Sequence, residues 1–226
     1  MRKFDTKVQH LKYKVLREVA RQAWNGTLLD DVEVMIASDN RVFERRGLRR
    51  ITLEEYRHLF RHPVADFYAE LGITGDAFRQ VSREWLEEYT VASKQCGLRG
   101  DAADTLRRFH AAGFRQALIS ASPAKTLHEQ VARYPELNGM LDDVLGLGDI
   151  YAASKVTLAG DYLRSKGIHP ADTVFLGDTT HDAEVAQAAG CRCLLISGGH
   201  QEDAALHATG MPVLPSLAAA AELLGA

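Results

Sequence analysis

Hydrophobic and polar positions change rhythm along this chain, and each rhythm implies a different structure. From Asp104 onward, short apolar runs alternate with amphipathic stretches. Residues 114–120, 143–147, 173–177, 191–197 and 213–214 read as strands. Runs without polar interruption, such as Val174-Phe175-Leu176, mark strands buried on both faces. Residues 104–112, 124–133, 156–165, 182–189, 202–208 and 216–224 read as helices, with Gly113, Gly167 and Gly190 as stops. Strand–helix alternation over this length predicts a parallel, doubly wound α/β sheet with right-handed crossovers.

Residues 31–98 carry helical periodicity only. Val32, Met35, Ile36 and Phe43 recur at helical spacing, as do Tyr56, Leu59 and Phe60, then Phe78, Val81, Trp85, Leu86 and Tyr89. Gly47, Pro63, Gly72 and Gly75 punctuate them. The expected organisation is a core of residues 1–30 and 99–226 with an inserted all-helical cap over 31–98, its aromatics read as core packing. Residues 1–23 are atypical. Val8, Leu11, Val15, Leu16, Val19, Ala20 and Ala23 fall on one face at 3.6-residue spacing, with Arg17, Glu18, Arg21 and Gln22 between them. That pattern predicts an amphipathic helix over 8–22 and excludes a central strand there.

Composition narrows the function classes. At 226 residues and 46% hydrophobic content the chain can bury a full core. A net charge of −3 offers no bulk attraction to nucleic acid or to an anionic membrane, so neither is expected as a partner. Cys96, Cys191 and Cys193 form no disulfide framework and read as buried thiols in a reducing compartment. No leader-like apolar stretch opens the sequence, and none is long enough to span a bilayer, so a cytoplasmic location is expected.

The densest chemical signal is Gly177-Asp178-Thr179-Thr180-His181-Asp182. Two carboxylates at the C-terminal end of a buried strand sit where open α/β sheets bind ligands, and hard cations take oxygen ligands. The same acids also suit a helix N-terminus, where they complement the dipole. Ser120 ends one strand and either faces a ligand or, like Ser122, caps the next helix. Lys155 is either a site residue or a solvated lysine. His181 is expected to face solvent.

Trp24-Asn25-Gly26-Thr27-Leu28-Leu29-Asp30-Asp31, Leu118-Ile119-Ser120, Lys155 and the Asp178/Asp182 pair, in this order and spacing, resemble the haloacid dehalogenase superfamily, in its phosphoglycolate-phosphatase-like branch with a helical cap. The resemblance covers roughly residues 24–226. It implies a small phosphorylated molecule as substrate and an aspartate nucleophile that forms an aspartyl phosphate, hydrolysed in turn by water. It also implies Mg²⁺ and a lysine to neutralise charge on the transferred group. On this resemblance Ser120 and Lys155 would hold the phosphoryl group, Gly26 and Thr27 would shape its pocket, and Asp178 and Asp182 would serve the metal.

The first motif departs from the pattern. The family reads Asp-x-Asp-Gly-Thr, or Asp-Trp-Asn-Gly-Thr in close relatives; here Ala23 occupies the nucleophile position and Asn25 that of the acid and base. A methyl group cannot attack phosphorus, and an amide does not titrate. The expectation is therefore a phosphatase-like protein that is hydrolytically impaired, with Mg²⁺ binding weak or lost. The alternatives are a degenerate phosphate- or Mg²⁺-binding or interaction protein, and an active phosphatase with a recruited carboxylate such as Asp5, Asp30 or Asp31. If residues 8–22 are helical, Ala23→Asp alone would leave its carboxylate on a displaced helix end, out of line with Lys155 and Asp178.

Overall fold

A computed structural model of the chain describes residues 19–148 and 155–226. Its sheet has the order β3-β2-β1-β4-β5-β6, all parallel, from β1 (Val19–Gln22), β2 (Arg115–Pro123), β3 (Asp143–Leu147), β4 (Thr173–Gly177), β5 (Arg192–Ile196) and β6 (Val213–Leu214). Side chains alternate across it at period two. Leu118, Val174, Leu176, Leu194 and Ile196 join one apolar cluster with Leu106, Phe109 and Leu217. Ile119, Phe175, Cys193 and Leu195 point the other way, into a second cluster with Ala159, Val185 and Leu206. Burial on both faces is why these strands read as uninterrupted apolar runs.

Helices α5 (Ala102–Ala111) and α10 (Leu217–Leu224) contribute to the first cluster. Helices α7 (Lys155–Lys166), α8 (Thr180–Ala188) and α9 (Asp203–Ala208) contribute to the second. Helix α6 (Ala124–Val131) follows β2 directly. The helical segment comprises α1 (Val32–Arg45), α2 (Leu53–Leu59), α3 (Val64–Glu70) and α4 (Gly75–Ala92). It packs its own cluster around Phe43, Tyr56, Phe67 and Tyr68. Among the described residues no helix is long and apolar enough to cross a membrane.

The structure corrects one expectation outright. Residues 19–22 are not helical; they are the strand β1, paired in parallel with β2 on one side and β4 on the other. The rest of the expected helix, residues 8–18, lies outside the described residues. Two central strands present ladder donors and acceptors that must be paired, and a short segment placed between them satisfies both rows. That requirement overrides the amphipathic pattern. The polar residue is accommodated rather than expelled: buried Gln22 donates from Nε2 to Oε1 of buried Gln116 at 3.2 Å, and Gln116 in turn donates to the Leu106 and Met140 carbonyls.

Candidate active site

The ends of β1, β2 and β4 meet the helical segment around a cavity of about 510 Å³. Ala23 continues β1: its N–H donates to the Leu176 carbonyl at 2.9 Å, and it is buried at the cavity wall. Position 23 therefore stands at the C-terminal end of a central strand, with a methyl group facing the ligand space. Asn25, Ser120, Lys155, Asp178 and Asp182 line the same cavity. Gly26 and Thr27 do not; Thr27 bonds Asp178, and Gly26 packs closely against it.

Asp178 follows β4 directly and is fully buried. Its Oδ1 accepts the Thr27 hydroxyl at 2.5 Å, and its Oδ2 accepts the His200 N–H at 2.8 Å. Burial pushes its carboxyl up, with His200 opposing that shift and Asp182 adding to it. Gly26 has φ +70°, and a Cβ there would stand 2.2 Å from Asp178 Oδ2, so the turn approaches this carboxylate as closely as only glycine allows.

Asp182 belongs to the start of α8. Thr179 is the N-cap, and its backbone N–H and hydroxyl both donate to Asp182 Oδ2, the reciprocal half of a capping box; the Asp178 N–H joins them. Asp182 Oδ1 accepts Lys155 Nζ at 2.5 Å, both side chains being more than nine-tenths buried. Burial alone would raise this carboxyl, but Lys155 and Thr179 hold it below the ordinary range. Lys155 is thus a buried ion-pair partner and not a solvated lysine. Ser120 caps no helix: α6 starts after Pro123 with no side-chain cap. Its buried Oγ accepts the Ser122 N–H at 3.1 Å, and Ser120 lines the cavity.

A further constellation joins Asp31, marked in the sequence only as a spare carboxylate, to Tyr56, Tyr89 and His200, which no motif marked. Asp31, the residue before α1, is wholly buried and accepts from the Gly26 N–H at 2.8 Å, Asn25 Nδ2 at 2.7 Å and the Tyr89 hydroxyl at 2.6 Å. His200 Nε2 lies 3.3 Å from its Oδ1, and His200 Nδ1 meets the Tyr56 hydroxyl at 2.9 Å. Burial would raise Asp31, but His200 and the hydrogen bonds from Asn25 and Tyr89 hold it low. Burial would lower His200, but Asp31, Asp178 and Asp182 hold it above the usual imidazole value. His200 follows Gly198-Gly199 just past β5, the sheet edge where ligands gather, and that placement was the available clue. Tyr56 and Tyr89 were hidden among aromatics at helical spacing.

His181 is corrected too. It is half-buried at the cavity, bonds Glu184 through Nδ1 at 2.9 Å, and stacks on His62 with ring centroids 4.9 Å apart. Burial first, and His181 second, lower the His62 imidazole to about 4.

The sequence profile described as haloacid dehalogenase-like hydrolase matches residues 25–196. The chain belongs to that family. A phosphoglycolate phosphatase of Aliivibrio fischeri is 26% identical over 188 residues, covering 78% of this chain and 82% of that protein. One from Pseudomonas putida is 23% identical, covering 78% and 68%. Among solved structures, a predicted phosphatase from Clostridium acetobutylicum superposes with a TM-score of 0.79 at 15% identity, over 92% of this chain and 97% of that one. A haloacid dehalogenase-like family hydrolase from Streptococcus pneumoniae gives 0.78 at 17% identity, over 90% and 96%. These confirm the α/β fold of a haloacid dehalogenase-like chain with a helical cap.

The Mg²⁺ that such a hydrolase implies would be held by Asp178 and Asp182, which line the cavity, with the carboxylate expected at position 23 missing from the donor set. Position 23 supplies no side-chain oxygen. Asp182 Oδ2 is engaged by the capping box and its Oδ1 by Lys155, whereas each oxygen of Asp178 accepts one hydrogen bond, from Thr27 and from His200, and keeps a second lone pair. Among the described residues no three His, Cys, Asp or Glu side chains converge as a metal-holding group. Lys155 already pairs with Asp182, and the His200 ring lies against Asp31. A hard cation held by so few protein oxygens would retain most of its waters.

Proposed function

We propose that this haloacid dehalogenase-like chain binds a phosphate monoester and does not hydrolyse it at an enzyme-like rate. The observation that carries the reading is Ala23 at the end of β1, on the cavity wall beside Ser120, Lys155 and Asp178. Ser120 would donate its hydroxyl to a phosphoryl oxygen. Lys155 would share its ammonium between Asp182 and the ligand, a charge-assisted contact of the strong kind. Asn25 cannot exchange a proton; its amide is committed to Asp31 and Tyr89, and its Oδ1 accepts Ser122 Oγ at 3.3 Å.

The recruited-carboxylate reading is disfavoured by Asp31. It is the spare acid buried at the site, but it accepts three hydrogen bonds and faces His200, so no lone pair is directed at a ligand. Asp30 is exposed. The relatives' phosphoglycolate phosphatase activity is thus taken as lineage, with weak or absent Mg²⁺ binding in this chain. Three cysteines with no disulfide framework in their spacing suit a cytoplasmic setting.

The test is calorimetric titration with inorganic phosphate and with an aryl phosphate, together with an aryl phosphatase assay with and without Mg²⁺. Binding weakened at least about tenfold by Ser120→Ala, with turnover below about 10⁻² s⁻¹, is expected; the comparison is an enzyme median of about 10 s⁻¹. Turnover near that median would refute the reading, as would the absence of phosphate binding.

A further inference from the structure

We propose that the cavity takes a phosphate monoester whose organic part is a flat aromatic group, seated against the Trp85–Tyr89 stack. The inference rests on the phosphate-binding reading above. Trp85 and Tyr89 lie one turn apart on α4, and their rings are stacked at 4.9 Å with 13° between planes. Tyr89 is not free to swing away: its hydroxyl donates to Asp31 and accepts from Asn25 Nδ2, each at 2.6–2.7 Å. The aromatic wall therefore begins one hydrogen bond from the Asn25 turn and runs outward along the cavity.

The walls beyond it are apolar. Met35, Val64 and Leu86 border the same space, and Leu86 remains 51% exposed. Large aliphatic side chains left uncovered around a concave site mark a surface awaiting an apolar partner. The volume agrees. Pockets of roughly 300–1000 Å³ hold drug-sized ligands, and about 510 Å³ is far more than a phosphoryl group with a two-carbon body fills. A small polar dianion at the Ser120 end would leave the Trp85 wall hydrated, whereas an aromatic body would cover it with offset-stacked or edge contacts. Lys94 and Arg133 also border the cavity and favour a second anionic group. Both are exposed, however, and exposed cations contribute little in water.

The experiment titrates the full chain by calorimetry, at one pH and salt concentration, with 1-naphthyl phosphate, 2-phosphoglycolate, inorganic phosphate and 1-naphthol. Naphthyl phosphate should bind at least about tenfold more tightly than phosphoglycolate or phosphate, and tenfold is one decade of affinity. Trp85→Ala should remove about that tenfold while leaving inorganic phosphate within about twofold; Trp85→Phe should retain most of it. Should Trp85→Ala unfold, Leu86→Asn on the exposed wall should still weaken naphthyl phosphate a few-fold and spare phosphate. Naphthyl phosphate binding no better than phosphoglycolate would overturn the inference and leave the phosphate reading standing. So would equal losses for naphthyl phosphate and phosphate in Trp85→Ala. If inorganic phosphate fails to bind, or 1-naphthol binds as tightly as its phosphate, the phosphate reading itself falls and takes this inference with it.

Discussion

Replacing Ala23 by aspartate is the sharpest test of the structure, because β1 reverses what the sequence pattern predicts. Were residues 8–22 helical to their end, a carboxylate at 23 would be misplaced. In the structure the Ala23 N–H is held by the Leu176 carbonyl at 2.9 Å, so the new side chain starts from the edge of a paired central strand. Rigid support of this kind is what a nucleophile requires. Two effects can be sized. The new charge enters a buried cluster with Asp178 and Asp182. Carboxylates about 4–6 Å apart repel by about 3–4 kcal/mol at an effective dielectric constant of 20. Ala23→Asp should therefore lower stability by about 3 kcal/mol in chelator, and Mg²⁺ should recover most of that loss by binding the completed donor set. Losing a nucleophile costs about 10⁴–10⁶ in rate in other hydrolases, so restoring it should raise turnover from a near-background level. Without an acid and base at Asn25, a further factor of about 10²–10⁴ stays missing, which sets the single variant near 10⁻³–10⁻¹ s⁻¹. Asn25→Asp added to it should recover much of that factor, since the new carboxyl would face Asp31 and hold a proton at neutral pH. The assays are urea unfolding with Mg²⁺ or chelator, and trapping of the covalent aspartyl phosphate. A folded Ala23→Asp protein that forms no acyl phosphate and gains no Mg²⁺ dependence would refute the placement of β1.

Lys155→Ala should destabilise by about 3–5 kcal/mol in urea unfolding, because it strands the buried Asp182 carboxylate; Lys155→Ala with Asp182→Asn should recover part of that, and a loss under 1 kcal/mol would show the pair to be solvated. Asp39, buried in the helical segment beside the Tyr68 hydroxyl, has its carboxyl raised to about 7, by burial first and against the Tyr68 hydrogen bond. A raised folded pKa confers stability that is complete below the ordinary carboxylate range and is lost as pH climbs to about 7. Relative to the parent, Asp39→Asn should gain about 2–4 kcal/mol between pH 4 and pH 8, and a flat difference would exclude a buried proton there.

What the chain determines by itself is whatever local rhythm encodes. Val174-Phe175-Leu176 is buried on both faces of the sheet, so its apolarity is uninterrupted and legible. The helical segment announces itself through the spacing of Phe43, Tyr56 and Tyr89, and the motif Gly177 to Asp182 marks the end of a strand and the start of a helix. Ala23 in place of a nucleophile is likewise a fact of sequence. Tertiary structure decided the rest. Residues 19–22 carry a helical pattern, yet they form a strand because β2 and β4 leave two rows of backbone groups that a segment between them must satisfy. Asp182 is at once a candidate metal ligand and a helix-capping acid in sequence; the approach of Lys155 from α7, 27 residues away, and of Thr179 fills both its oxygens. Asp31, Tyr89 and His200 become one buried network only when the helical segment closes over the sheet edge. Hydrogen bonds and ion pairs between residues 58 to 169 positions apart depend on distances that folding sets, and no periodicity along the chain records them.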